Sequence, residues 1–246
     1  MPYVRIMLYK EGDKNLNTDF YENFEQALSL SEKEFSRAEL IEMLKSDDIK
    51  KMQIAALKFD EVKDNNDVQV LLSRLTGCDG KVREAVALKL NQAISKGQAL
   101  DVFAKSAPEI FADATIDINA NICRCVVDSA VILEKYPDFS KKYTDKIVKF
   151  AQEALYELDQ FIFRDKKYVI NKQIFKLYWC LEALKYFYSY VDEDILQDIL
   201  TKCANQTEYT IREKTAQILY SSGKFSELAK KLEADENYYV RAVFAT

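Results

Sequence analysis

Asp79-Gly80-Lys81-Val82-Arg83-Glu84-Ala85-Val86-Ala87-Leu88-Lys89-Leu90 is the stretch that decides the fold. An acidic residue and a glycine make a turn, an aliphatic–basic pair follows, and small and aliphatic side chains then recur at helical spacing. Just before it, Val68, Leu71, Leu72 and Leu75 mark one face of another helix, and Thr76-Gly77-Cys78 breaks the pattern between the two. Gly97 stands where a helix C-cap is needed. The unit is a helix pair joined by a short polar turn.

The same phrase recurs outward from it. Ser36-Arg37-Ala38-Glu39 has capping-box spacing, with Leu40, Ile41 and Leu44 on the helix it opens. After Ser46-Asp47-Asp48 comes a second helix with Ile49, Met52, Ala56 and Phe59 on one stripe, ending before Lys63-Asp64-Asn65-Asn66. Towards the other end, Ile195, Leu196, Ile199 and Leu200 precede Tyr209-Thr210-Ile211-Arg212, which opens a helix through Ala216 and Leu219 to Gly223. Leu228 and Leu232 then precede Asn237-Tyr238-Tyr239-Val240-Arg241. The basic positions 50 and 83 lie 33 residues apart and 212 and 241 lie 29 apart, a repeat length for a helical array.

Four segments resemble the second helix of a HEAT repeat: Asp48-Ile49-Lys50…Ala56-Leu57, Asp79-Gly80-Lys81-Val82-Arg83…Ala87…Leu90, Tyr209-Thr210-Ile211-Arg212…Ala216…Leu219, and Asn237…Val240-Arg241. The resemblance implies an all-α, right-handed α-α superhelix of about five to six helix pairs over residues 36–246. It implies that Asp48, Lys50, Asp79, Arg83, Arg212 and Arg241 form a structural polar ladder between turns. Residues 1–35 then cap the open end of the array. Within them Val4, Ile6 and Leu8 alternate as a short strand would, and Thr18-Asp19 opens a helix towards Leu28.

The middle is less regular. Asp117-Ile118-Asn119-Ala120-Asn121-Ile122 opens a helix that Pro137 terminates, a long helix fits Tyr143–Phe161, and another fits Tyr168–Tyr190. Asn121 and Asn171 stand where the motif has a basic residue.

Composition narrows the function classes. With five Gly and three Pro in 246 residues, a turn-rich β architecture is excluded. A net charge of −5 gives no bulk attraction to nucleic acid or anionic membrane. No apolar run of spanning or signal-peptide length occurs, so the expectation is a cytoplasmic protein. The absence of histidine removes the commonest general base and the commonest zinc ligand.

Cys78, Cys123, Cys125, Cys180 and Cys203 are scattered in helical patterns, as reduced thiols are. Cys123 and Cys125 project about 200° apart on a helix, which does not suit one ion. No metal and no cofactor is expected. Carboxylates such as Asp47/Asp48 and Glu193/Asp194 sit beside turns, where they cap helices.

Residues 135–190 carry 11 basic and 7 acidic side chains, against 10 and 15 over residues 1–70. Aromatics interleave this basic stretch. Ile170, Ile174, Leu177, Leu181, Leu184 and Tyr188 form its core stripe, leaving Lys167, Tyr168, Lys172, Lys176 and Tyr178 as the binding candidates. By fold analogy the expected function is a non-enzymatic protein-binding scaffold whose concave face holds a partner, an acidic segment, between the third and fifth repeats. The alternatives are a nucleic-acid enzyme similar to HEAT-like DNA glycosylases, for which no catalytic position matches, and a HEAT protein resembling bilin lyases.

Overall fold

The computed structural model describes residues 25, 28–160 and 167–245, with side chains from residue 170 in the last stretch. The expected strand at Val4–Leu8 and the start of the helix from Thr18 lie outside the described residues, as does most of the expected cap, while residues 25 and 28–32 are helical. No strand occurs among the described residues.

Among the described residues thirteen α-helices follow residue 36, with one 3-10 turn at Tyr188–Tyr190. They are α1 (Arg37–Lys45), α2 (Ile49–Lys58), α3 (Asn65–Leu72), α4 (Gly80–Ser95), α5 (Leu100–Ser106), α6 (Pro108–Thr115), α7 (Ala120–Leu133), α8 (Pro137–Gln160), α9 (Lys167–Phe187), α10 (Glu193–Cys203), α11 (Tyr209–Ser222), α12 (Ser226–Glu233) and α13 (Tyr238–Ala242).

Short polar side chains start these helices by satisfying orphan N–H groups. Ser36 and Glu39 close a capping box on α1. Asp48 accepts from Lys50 N and Lys51 N, Asp64 from Asp67 N, and Asp79 from Lys81 N. Asn119, Asp192 and Asn237 serve α7, α10 and α13 in the same way. Gly223 ends α11 at φ 64°, a left-handed conformation that costs glycine nothing.

The helices pair as α1/α2, α3/α4, α5–α6/α7, α8/α9, α10/α11 and α12/α13, six units among the described residues. The second helices pack side by side, α2 on α4, α4 on α7, α7 on α9, α9 on α11 and α11 on α13. The first helices make the other layer, with α1 against α3, α3 against α5, α6 against α8 and α8 against α10. This is an all-α two-layer stack in which each unit touches chiefly its neighbours. One buried cluster runs through it from Leu40 to Val240.

Two boundaries differ from the sequence reading, both through proline. Pro137 does not merely end the preceding helix; it is the first residue of α8, where a missing N–H is harmless and the fixed φ is already helical. Pro108 likewise opens α6 and divides the first helix of the third unit at Ala107, because its ring cannot continue α5. The sequence reading left that pair of helices unassigned. Ile49 and Ile195, expected on core stripes, are exposed in the first turns of α2 and α10, whereas Met52, Ala56, Phe59, Leu196, Ile199 and Leu200 are buried.

The thickest packing is at the middle, where α8 and α9 meet. Phe111, Phe139, Tyr143 and Phe187 form a ring-to-ring chain at centroid separations of 6.2, 5.6 and 5.1 Å. The Tyr143 hydroxyl, fully buried, meets the Thr115 hydroxyl at 2.8 Å, so its polar end is satisfied inside the core.

Leu90 and Leu181 are 1% and 0% exposed between the layers, while Leu88 is 41% exposed. Leu90→Ala and Leu181→Ala should each cost about 2–5 kcal/mol, and Leu88→Ala no more than about 0.5 kcal/mol. Urea unfolding followed by circular dichroism measures all three; equal losses at Leu88 and Leu90 would contradict the layer assignment.

Candidate functional site

Two surfaces carry the residues singled out from sequence: the edge formed by the turns inside each unit, and the side of the second-helix layer turned away from the first helices.

At the turn edge two arginines make the same clamp. Arg83, in the first turn of α4, donates to the carbonyl of Cys78 in its own turn. Its Nε and Nη2 reach both oxygens of Asp117 in the next unit's turn, at 2.7 and 3.1 Å. Arg212, in the first turn of α11, donates to the carbonyls of Gln206 and Thr207, each at 2.9 Å. It reaches both oxygens of Asp235 in the following turn at 2.7 and 3.0 Å. The planar guanidinium fork suits this double duty. The hydrogen bonds they donate to these carboxylates raise the pKa of Arg83 and Arg212 further, against the opposing effect of burial. The Arg212 guanidinium holds Asp235 below the usual carboxylate range, against the opposing effect of burial.

Arg241 makes the carbonyl half of the clamp, donating to Asp235 O and Glu236 O at 2.6 and 2.8 Å. Asp48 and Asp79 cap their own helices and receive neither clamping arginine. Lys50 lends its backbone N–H to Asp48, and its side chain lines a cleft with Ser29, Lys33 and Lys51.

The two clamp carboxylates, Asp117 and Asp235, are residues the sequence reading missed. A signal for them exists. Asp117-Ile118-Asn119 and Asp235-Glu236-Asn237 share an Asp-x-Asn spacing, and in each the Asp also accepts the Asn backbone N–H, at 2.9 and 2.8 Å. Asn121, standing where a basic residue was expected, reaches back to Glu84 at 2.7 Å, and Asn119 joins it at 3.2 Å.

On the other surface the binding candidates do not gather. Lys167 and Tyr168 have side chains outside the described residues. Lys172 is exposed. Lys176 turns to α8, bound to Glu153 at 2.8 Å and lying 4.8 Å over the Phe150 ring. Tyr178, two residues on, is on the opposite flank of α9, its ring 5.4 Å from Trp179 and covered by the Lys214 ammonium at 5.0 Å.

What gathers there instead is a charged group spanning three helices. Glu182 of α9 pairs with Lys214 of α11, and their side chains are 18% and 12% exposed. Lys185 approaches Glu182 at 3.9 Å. Burial lowers the Lys214 pKa, but the Glu182 carboxylate and the Tyr178 hydroxyl together outweigh it and the net shift is upward. On the neighbouring α7 the Asp128 carboxyl is raised above its ordinary pKa. Partial burial raises it, Arg124 one turn back opposes, and Glu182 raises it again.

Burial pushes the Cys123 and Cys180 thiols up to about 12, and Cys203 is raised by the same cause. At neutral pH all three are protonated core side chains. Among the described residues no group of three or more His, Cys, Asp or Glu side chains could hold a metal ion. No described helix is long and apolar enough to cross a membrane.

No family model and no curated protein matches the chain. Among solved structures it is similar to a HEAT-like repeats protein from the archaeon Thermococcus onnurineus NA1, at 12% identity and a TM-score of 0.47 over 86% of this chain and 78% of that one. It is also similar to an engineered protein, at 16% identity and a TM-score of 0.45 over 85% and 94%. Both superpositions are loose.

The Arg212 and Asp235 side chains are 9% and 8% exposed. Breaking such a pair should cost about 3 kcal/mol in Asp235→Asn at neutral pH. Because the folded pKa of Asp235 is depressed, its contribution is fully present above the unfolded carboxylate value of about 3.9 and is lost as pH falls below it. Urea unfolding at pH 7 and pH 3 should therefore show parent and variant converging at the lower pH; a constant gap would contradict the assignment.

Proposed function

We propose that this protein is a non-enzymatic scaffold that holds a protein partner on the open side of its second-helix layer, over the third to fifth units. The observation that carries the reading is the group on α9 and α11: a lysine, Lys214, fixed between the Glu182 carboxylate and the Tyr178 ring. Around it, Phe175 and Tyr178 are half-buried and Tyr186 is exposed with Lys185 5.0 Å from its ring centroid. Rigid aromatics with few torsions to freeze, set beside charges already held in place, give binding energy at low entropic cost.

The partner we favour is an acidic segment of a protein. Lys172 is exposed at the end of the face and Lys185 lies beside Tyr186, so a segment crossing α9 meets two cations flanking aromatic rings. Lys176, already neutralised by Glu153, contributes at the rim only. Lys167 and Tyr168 extend the same proposal towards the start of α9.

The test is the double variant Lys172→Glu, Tyr186→Ala, checked first for an unchanged helical spectrum. Used as bait in an extract of its own cells at moderate salt, it should lose the proteins that the parent captures. A folded variant that retains them all would show that the partner sits elsewhere.

A further inference from the structure

The last two units carry a second surface, on the turn edge and away from the open face. Tyr209 begins α11, and Tyr238 and Tyr239 begin α13. Tyr209 and Tyr239 stack at 6.0 Å with 28° between planes, and Tyr238 meets Tyr239 edge-on at 5.7 Å. All three stay in solvent: 37%, 67% and 60% exposed. The Phe111–Phe139–Tyr143–Phe187 chain is buried, whereas this trio keeps three neighbouring rings in solvent, an exposure that solubility alone disfavours.

The trio is held in place from beneath. Arg212 ties the turn before Tyr209, through Gln206 O and Thr207 O, to Asp235 in the turn before Tyr238. Asp235 accepts the Asn237 N–H, and the Asn237 side chain caps α13 at Tyr239 N. One guanidinium thus fixes the two helix starts from which all three rings project. Its charge is held chiefly by Asp235, with the Glu236 carboxylate also 3.6 Å from its Nη2. The charged residues flanking the rings in sequence are the acids Glu208, Glu213 and Glu236 and the bases Arg212, already held by Asp235 and Glu236, and Arg241, whose Nη1 is held on carbonyls in the turn. The Glu236 side chain is 91% exposed.

We propose that this acid-rimmed tyrosine platform is a docking site for a basic segment of a partner protein, with arginine side chains laid on the rings and paired with the rim carboxylates. Ring faces attract cations, most strongly the flat guanidinium, and carboxylates receive it in bidentate fashion. A nucleic-acid strand could stack on the same rings, but the acidic rim repels its phosphates. The occupant therefore has the opposite charge from the one proposed for the open face, and neither proposal depends on the other.

The experiment titrates the full chain with dye-labelled hexa-arginine at 0.15 M salt, following anisotropy, with hexalysine and a dT12 strand as competing probes. Tyr238→Ala, Tyr239→Ala should weaken hexa-arginine binding about tenfold. Glu208→Gln, Glu236→Gln should weaken it and flatten its salt dependence, and hexalysine should bind the parent less tightly than hexa-arginine. Tyr156→Ala, which removes an exposed ring on α8, controls for general attraction of a polycation to an acidic protein and should leave binding unchanged. Equal binding by parent and tyrosine variant, equal loss in Tyr156→Ala, or tighter binding of the dT12 strand would overturn the proposal. So would a parent that self-associates in sedimentation where the tyrosine variant does not, since the platform would then belong to a second copy.

Discussion

A guanidinium that bonds the carbonyls of its own turn and the carboxylate of the next turn sets the register between the second and third units and between the fifth and sixth. A helix pair alone cannot bury its inner face, so units stack. Apolar stacking is non-directional, and leucines and alanines permit several offsets. Arg83 with Asp117, and Arg212 with Asp235, select one. Each carboxylate also binds the N–H of the Asn that caps the following helix, so the arginine of one unit is coupled through two residues to the helix start of the next. A slipped unit would strand a nearly buried charge, which costs more than the pair itself gives. The first-helix edge has its own version at the start of the array: the fully buried Asp67 takes Arg37 from the preceding unit and the Lys63 N–H from its own turn.

How much of this was legible in the sequence follows from which forces are local. Helix starts are local, because an Asp or Asn and the N–H it accepts are two or three residues apart; Asp48, Asp79 and Asn237 could be read directly. Helical faces are nearly local, and Val82, Val86, Leu90, Leu177, Leu181, Ile211 and Leu219 are all buried as their periodicity requires. Proline was misread at Pro137 because the same residue that stops one helix is the preferred first residue of another.

The sites were less legible because their contacts cross units. That Arg83 is clamped could be suspected from its motif, but its partner lies 34 residues on, and only the repeated Asp-x-Asn spacing marks it. Lys172, Lys176 and Tyr178 share one basic, aromatic stretch. A helix nevertheless disperses neighbours around its axis, and residues two apart, such as Lys176 and Tyr178, end on opposite flanks. Conversely Glu182, Lys214 and Asp128 sit in unremarkable contexts on three helices and meet only because the second-helix layer brings α7, α9 and α11 together.

The same layer explains where aromatic side chains can be spared for binding. In the middle units, α8 and α9 are 24 and 21 residues long and bury a continuous file of rings between them. Rings there are engaged in holding two long helices together. In the last two units the helices are shorter, α12 with 8 residues and α13 with 5, and their fully buried positions are Leu232 and Val240, with Phe225 and Phe244 only partly buried at the margin. Tyrosines at the starts of α11 and α13 are then free of the core and stand on the turn edge, where the Arg212–Asp235 clamp has already removed the backbone freedom that binding would otherwise have to freeze. The interaction that fixes the stacking register is thereby the one that makes the tyrosine edge rigid, so register and recognition at this end of the array rest on a single buried ion pair.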